Sequence, residues 1–168
     1  KASMRSPLRL GIVGGGPSAL FLCQALLDRG APPVSVEIFE SGSQLGAGMP
    51  YSCKGAGPEH VTNVSGNEIP PLPQSLVAWL KRAPSELLLR FGIDRKCVGE
   101  FKVLPRLLFG EYLSHQFLRS PAWRDPPLGS RRREAIRRRG ALHGPSLAFA
   151  ARRRHPELFR FSLSFSKA

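Results

Sequence analysis

Over residues 8–40 the spacing of apolar positions changes twice. Residues 8–13, LRLGIV, form a short and nearly continuous apolar run that stops at Gly14, Gly15 and Gly16. A run of that length closed by turn residues predicts a buried strand. Over 17–29 helix formers take over, with Ala19, Leu20, Cys23, Leu26 and Leu27 at helical spacing, and Gly30 stands where a helix would stop. Over 34–40 the period shortens to two: Val34, Val36 and Ile38 on one side, Ser35 and Glu37 on the other, then Phe39 and Glu40. Strand, glycine turn, helix and strand make a βαβ opening, whose strands should be parallel and joined by a right-handed crossover.

Residues 41–74 hold Gly42, Gly46, Gly48, Gly55, Gly57 and Gly66 together with Pro50, Pro58, Pro70, Pro71 and Pro73. That density of breakers excludes long regular elements, and long irregular segments inside compact domains usually serve a function. Helical spacing returns at 75–82 and 85–91, two short helices separated by Pro84, each opening on a serine able to cap it. A third helix is predicted from about Pro105 to 118, with Leu108, Leu113 and Phe117 as its buried side. Beyond 118, Pro121, Pro126 and Pro127 precede arginine triplets at 131–133, 137–139 and 152–154. Apart from a hint of helix at 134–140, no alternating strand is read after Gly140. This final stretch is expected to be a poorly structured basic tail.

Composition sharpens that division. The 168 residues are 42% hydrophobic and 22% charged, which is globular, and the formal charge is +13. The charge is lopsided: residues 1–118 carry 12 Lys and Arg against 9 Asp and Glu, whereas 119–168 carry 13 against 3. An inference of nucleic-acid binding from the overall charge therefore applies to the tail alone. Cys23, Cys53 and Cys97 are odd in number and contain no CxxC pair, so neither a disulfide framework nor a cysteine zinc site is indicated, and no metal ligand set is read. Lys1, Arg5 and Arg9 ahead of apolar residues imitate a secretion signal, but Gly14, Gly15, Gly16, Pro17 and Gln24 interrupt it. A reduced, cytoplasmic protein with no membrane span is the expectation.

The chemistry begins at the glycine turn. Gly14, Gly16 and Ala19 make GxGxxA between a predicted strand and a predicted helix, the pattern of a dinucleotide-binding turn. Its first glycine permits the tight turn and its second leaves bare backbone for a pyrophosphate. Ala19 lets the helix pack close to the strand, with its N-terminal N–H groups facing the phosphates. An ordinary glycine-rich turn has the same letters. Glu40 ends the second strand 26 residues after Gly14, where a carboxylate can accept from both ribose hydroxyls of an adenosine and disfavours a 2′-phosphate. The plainer alternative is a solvated strand-end carboxylate.

GIVGGGPSAL at 11–20, VEIFE at 36–40, GAGMPY at 46–51, HVTNVSGNEIP at 60–70 and VLPRLLFGEYL at 103–113 together resemble the FAD/NAD(P)-binding flavoproteins that include FAD-dependent urate-hydroxylase-like proteins. The resemblance covers about 8–118. It implies a Rossmann-like, doubly wound parallel α/β sheet, of which 8–118 would be an incomplete FAD/NAD(P)-binding domain. Residues 119–168 read as an Arg-rich tail, disordered or frame-shifted, with a real basic extension and a divergent piece of the core as the other readings. The resemblance implies FAD as cofactor and NAD(P)H as co-substrate in an oxidoreductase, hydroxylation being one activity it allows. Gly14, Gly16, Pro17 and Ser18 would cradle the pyrophosphate, Glu40 the ribose, and Gly48 and Met49 would approach the cofactor. Asn63 would lie towards the flavin ring, and Arg106 would reach the phosphates. Asn63 as a turn cap and Arg106 as a surface helix residue are the alternatives.

Family members are much longer, so the chain reads as truncated, and whether it is an enzyme by itself is left open. No catalytic acid or base is named, because His60, His115, His143 and His155 lack a partner at a recognisable spacing. Two other readings stay open: binding of nucleic acid or an anionic surface through the arginine triplets and nearby phenylalanines, and a non-redox adenine-dinucleotide module. The substrate is not legible.

Overall fold

The computed structural model describes residues 8–29, 34–119, 152–155 and 158–165. Gly30, the triplets at 131–133 and 137–139, the helical hint at 134–140 and His143 lie outside them. The first three elements stand where the apolar period changes: β1 (Leu8–Val13), α1 (Pro17–Asp28) and β2 (Val34–Glu40). β1 and β2 pair in parallel, from Leu8 opposite Val34 to Val13 opposite Phe39, because α1 carries the chain back before β2 begins. Val34, Val36 and Ile38 are buried while Ser35 and Glu37 are half-buried. α1 buries Ala19, Leu20 and Cys23. Full burial of a side chain such as Leu20 contributes about 2 kcal/mol.

Two expectations are corrected. β1 is not a buried strand: Leu8 is 63% exposed and Val13 90%, with Leu10 and Ile12 half-buried. The sheet order is β1-β2-β4-β3, so among the described residues β1 is an edge with a neighbour on one side only. The tail, moreover, is not strandless. β3 (Arg152–His155) and β4 (Leu158–Phe165) belong to the same sheet. β4 runs antiparallel to β2, placing Phe161 opposite Ile38, Leu163 opposite Val36 and Phe165 opposite Val34. β3 runs antiparallel to β4. Phe159, Phe161, Leu163 and Phe165 recur at every second position, a strand signal that the surrounding arginines and Pro156 obscure. β2 has unpaired backbone groups on its second side, and β4 supplies their partners.

Between β2 and α2 (Leu76–Arg82) the one regular described piece is a 3-10 turn, Gly66–Glu68, in which Ser65 and Glu68 cap each other. Ser75 caps α2 as read, its hydroxyl accepting from the Ala78 N–H at 3.3 Å. At α3 (Ser85–Arg90) the capping position is Pro84, not Ser85, and the Ser85 hydroxyl accepts from Arg95 Nη2 at 3.3 Å instead. Arg95 also donates to the carbonyls of Leu80 at 3.2 Å, Lys81 and Ala83 at 2.7 Å. It thus satisfies the helix-end acceptors that the break at Pro84 leaves open.

α4 (Arg106–Arg119) buries Leu108, Leu113 and Phe117 as expected, and also Phe109, Tyr112 and Gln116. The last two tie the helix to the loop before α2: Tyr112 Oη donates to the Gln74 carbonyl at 2.8 Å, and Gln116 Oε1 accepts from the Gln74 N–H at 3.1 Å. Trp79 of α2 meets Tyr112 edge to face at 5.5 Å. α1, α2, α4 and β2 therefore share one core, with the glycine turn at its rim. Among the described residues no helix is long and apolar enough to cross a membrane.

Candidate functional site

Gly14 leaves β1 with φ +91°, an angle that side-chain-bearing residues rarely hold, and its N–H donates to the Phe39 carbonyl at 2.8 Å. A Cβ on Gly14 would meet nothing within 4 Å among the described residues, so the backbone angle is what requires glycine. Gly16 is the capping residue of α1 at an ordinary φ of −77°. A Cβ there would stand 3.4 Å from Gly48 Cα, at the edge of ordinary contact, whereas one on Gly48 would crowd the turn at 3.1 Å from Gly16 Cα and 3.3 Å from Pro17 Cδ. The loop is held against the turn by the Gly46 N–H, which donates to the Gly15 carbonyl at 2.6 Å.

α1 begins with Pro17 and has no side-chain cap and no acidic residue in its first turn. Pro17 has no N–H, and the Ala19 and Leu20 N–H groups donate to the Gly16 carbonyl at 3.1 and 3.2 Å, so the Ser18 N–H and the positive dipole end are what this turn offers an anion. Ser18 is exposed there, and so is Met49, beside Gly48.

Glu40 faces this turn. Its Oε2 accepts from the Gly15 N–H at 2.6 Å, and its Oε1 accepts from the Gly42 N–H at 2.8 Å and the Ser41 hydroxyl at 3.0 Å. Partial burial pushes the carboxyl up, but the donors of Gly15, Gly42 and Ser41, with the Lys54 ammonium nearby, outweigh it and hold the group below its ordinary value. The result is an oriented, ionised acceptor next to an uncapped helix end, suited to hydroxyls beside a phosphate.

The segments that carry Asn63 and Arg106 meet in a second corner, although no hydrogen bond joins these two residues among the described ones. Segments 60–64 and 103–106 run antiparallel there, with Val61 bridged to Pro105. Thr62 joins them: its N–H donates to the Leu104 carbonyl at 2.8 Å, and its hydroxyl accepts from the Leu104 N–H at 3.1 Å. The Arg106 N–H donates to the His60 carbonyl at 2.8 Å and its Nε to the Val61 carbonyl at 3.0 Å. Asn63 is exposed and Arg106 half-buried.

Sequence reasoning missed Gly15, Gly42, Gly46 and Lys54. Gly15 occupies an x of GxGxxA and so carries no signal in that pattern. Gly42 and Lys54 gain meaning only from their distance to Glu40. His60 has a neighbour that spacing rules ignore, Glu59, with Nε2 and Oε1 3.4 Å apart. The buried Nδ1 of His115 has no hydrogen-bond partner among the described residues, and its ring tilts over Trp79 at 6.1 Å. The cysteines are free, Cys23 buried and Cys53 and Cys97 exposed. A separate cleft of about 490 Å³ lies between the 44–58 loop and α4, lined in part by Gln44, Tyr51, Cys53, Arg90 and Glu111, and by none of the expected site residues.

Residues 11–127 match the family model described as FAD-NAD(P)-binding. The chain is 35% identical over 111 residues to the uncharacterized protein YdhS of Escherichia coli (strain K12), an alignment covering 66% of this chain and 21% of YdhS. It therefore spans about a fifth of the length of the curated relative it matches. No solved structure matches it. The matched span contains the positive-φ turn, the uncapped helix and the anchored Glu40, and with them the chain belongs to the FAD-NAD(P)-binding family.

Proposed function

We propose that the chain supplies the FAD-binding part of an NAD(P)H-dependent flavoprotein oxidoreductase, with residues 8–118 as the binding domain of a doubly wound sheet. The observation that carries this reading is Glu40, fixed at both carboxylate oxygens beside an uncapped helix end. A pyrophosphate supplies the negative charge that α1 lacks in its first turn, and a ribose supplies hydroxyls to the carboxylate. Gly14, Gly16, Pro17 and Ser18 would hold the pyrophosphate and Glu40 the ribose. Gly48 and Met49 would border the cofactor. Asn63 would lie towards the flavin ring, and the guanidinium of Arg106 would reach the phosphates. Two features favour FAD over NADP at this turn: the carboxylate, which repels a 2′-phosphate, and the second glycine segment pressed on the first. When bound, the flavin supplies the electron-accepting chemistry, and the protein supplies position and electrostatics.

Isothermal titration of the purified chain with FAD and ADP-ribose tests the reading. Both should bind, and Gly16→Val should abolish binding, since its branched side chain would occupy the space between Gly48 and the phosphates. Unchanged affinity in a folded Gly16→Val protein would remove the turn from the site. Binding of NAD with no binding of FAD would replace the flavin reading with a non-redox dinucleotide module.

A further inference from the structure

The loop after β2 returns a cation to the carboxylate that ends it. Ser52 and Gly55 turn the chain sharply: the Ser52 N–H donates to the Met49 carbonyl at 3.4 Å, and the Gly55 and Ala56 N–H groups donate to the Ser52 carbonyl at 3.0 and 2.9 Å. Gly55 permits the tight approach, as a Cβ there would stand 2.6 Å from the Met49 carbonyl oxygen. Ala56 is buried and anchors the turn. Lys54, between these fixed points, is exposed, and its Nζ lies 3.6 Å from the position a Gly42 Cβ would take, while Glu40 Oε1 lies 3.5 Å from the same position. Ammonium and carboxylate therefore flank one bare Cα, yet Lys54 makes no ion pair among the described residues. A gap wider than an ion pair and spanned by one bare residue suits a hydroxyl oxygen standing roughly 2.8 Å from each group.

We propose that Lys54 is a second nucleotide-binding residue of this site, donating to the ribose 2′-hydroxyl while Glu40 accepts from the ribose, so that the pair selects an adenosine with both hydroxyls present and unsubstituted. The proposal rests on the reading of the turn as a dinucleotide site. A vicinal diol offers two protons and two acceptor oxygens. Glu40 can use only the protons and Lys54 only the oxygens, so each covers what the other cannot. A methyl group on Gly42 would meet Glu40 and Lys54 at ordinary contact distance, leaving the fold intact but reaching into the space between them that a hydroxyl needs.

The test is titration of the full chain with ADP and 2′-deoxy-ADP, comparing the parent with Lys54→Met, Lys54→Arg and Gly42→Ala. Loss of one charge-assisted contact should weaken ADP binding by Lys54→Met about tenfold. Binding of 2′-deoxy-ADP should change less than about threefold, so that the preference for the full ribose collapses. Lys54→Arg should restore much of the preference, and Gly42→Ala should lose it with an unchanged denaturation midpoint. An equal loss for both nucleotides would overturn the proposal, because it would mean that Lys54 merely attracts phosphate, as would an unchanged ADP affinity. Failure of the parent to bind either nucleotide would instead overturn the dinucleotide reading itself, and the role of Lys54 with it.

Discussion

Glycines occur at two kinds of place in this protein, and they answer to different constraints. At the turn, Gly14 adopts φ +91° with open space around it. At the seam between the 46–51 loop and α4, backbone packs directly on backbone. A Cβ on Gly46 would stand 2.6 Å from the Leu113 carbonyl oxygen, and one on Gly110 would run into the Tyr51 carbonyl and lie 3.2 Å from Ala47 Cβ. Among the described residues the space at Gly14 is unfilled, as the proposed ligand would need, whereas closeness at the seam is packing that fixes where the loop, and hence Gly48, sits. A binding function and a structural one should therefore be separable by mutation.

The largest effect should come at the seam. Gly110→Val forces α4 away from the loop and should destabilise the fold by about 3 kcal/mol or more, read as a lowered urea midpoint in far-UV circular dichroism. Gly46→Ala, strained by φ +97° as well as by Leu113, should cost about 2 kcal/mol in the same measurement. If either variant stayed fully stable and lost only nucleotide affinity, the seam would belong to the site and the distinction would fail.

At the turn the balance should reverse. Glu40→Gln removes charge-assisted bonds of about 1.5–3 kcal/mol and should weaken ADP binding about 10- to 150-fold in titration calorimetry, with a much smaller change in the urea midpoint. The same residue has a pH signature. Its folded-state carboxyl is held below the ordinary range, so its contribution to stability is complete above that range and is lost as pH falls through the folded value. Urea midpoints measured from roughly pH 7 to pH 3 should fall less steeply for Glu40→Gln than for the parent. Parallel curves would show that the Gly15 and Gly42 bonds do not hold the charged form.

Smaller again is Gly14→Ala, whose only penalty in the free protein is backbone angle, about 1 kcal/mol. The mildest probe is a thiol reagent. Cys53 and Cys97 are exposed, whereas burial pushes the Cys23 thiol up to about 11. The first two should react promptly near pH 8, and Cys23 only at the urea concentration that unfolds the chain. Early reaction at Cys23 would mean that α1 opens independently of the seam.

Much of this was legible because local period and local structure coincide. β1, α1 and β2 begin where the apolar spacing changes, Ser75 caps α2, and Leu108, Leu113 and Phe117 face inward from α4. Legibility ended where a residue's meaning depends on what lies across space. Nothing in LRLGIV tells a two-sided strand from an edge, since the difference is a neighbour far away in sequence. The alternation in β4 was present but outweighed by nearby arginines, a case of composition misread as structure. At the site, GxGxxA and Glu40 stood out by spacing, while Gly42 and Lys54 acquire their positions only through the fold of an irregular loop. The backbone contacts of Gly46 and Gly110 are likewise tertiary, although a glycine inside a helix is a recognisable sign of close packing.

Arg95, described above as a partner for four acceptors around the α2–α3 corner, also sets how that corner moves in time. Helices this short do not persist by themselves, so their amide hydrogens exchange with solvent whenever the corner loosens. One guanidinium fastening Leu80, Lys81, Ala83 and Ser85 makes α2 and α3 open together rather than one by one. In the native protein the amides of both helices should then share one opening free energy in hydrogen exchange, although the sequence divides the segment at Pro84.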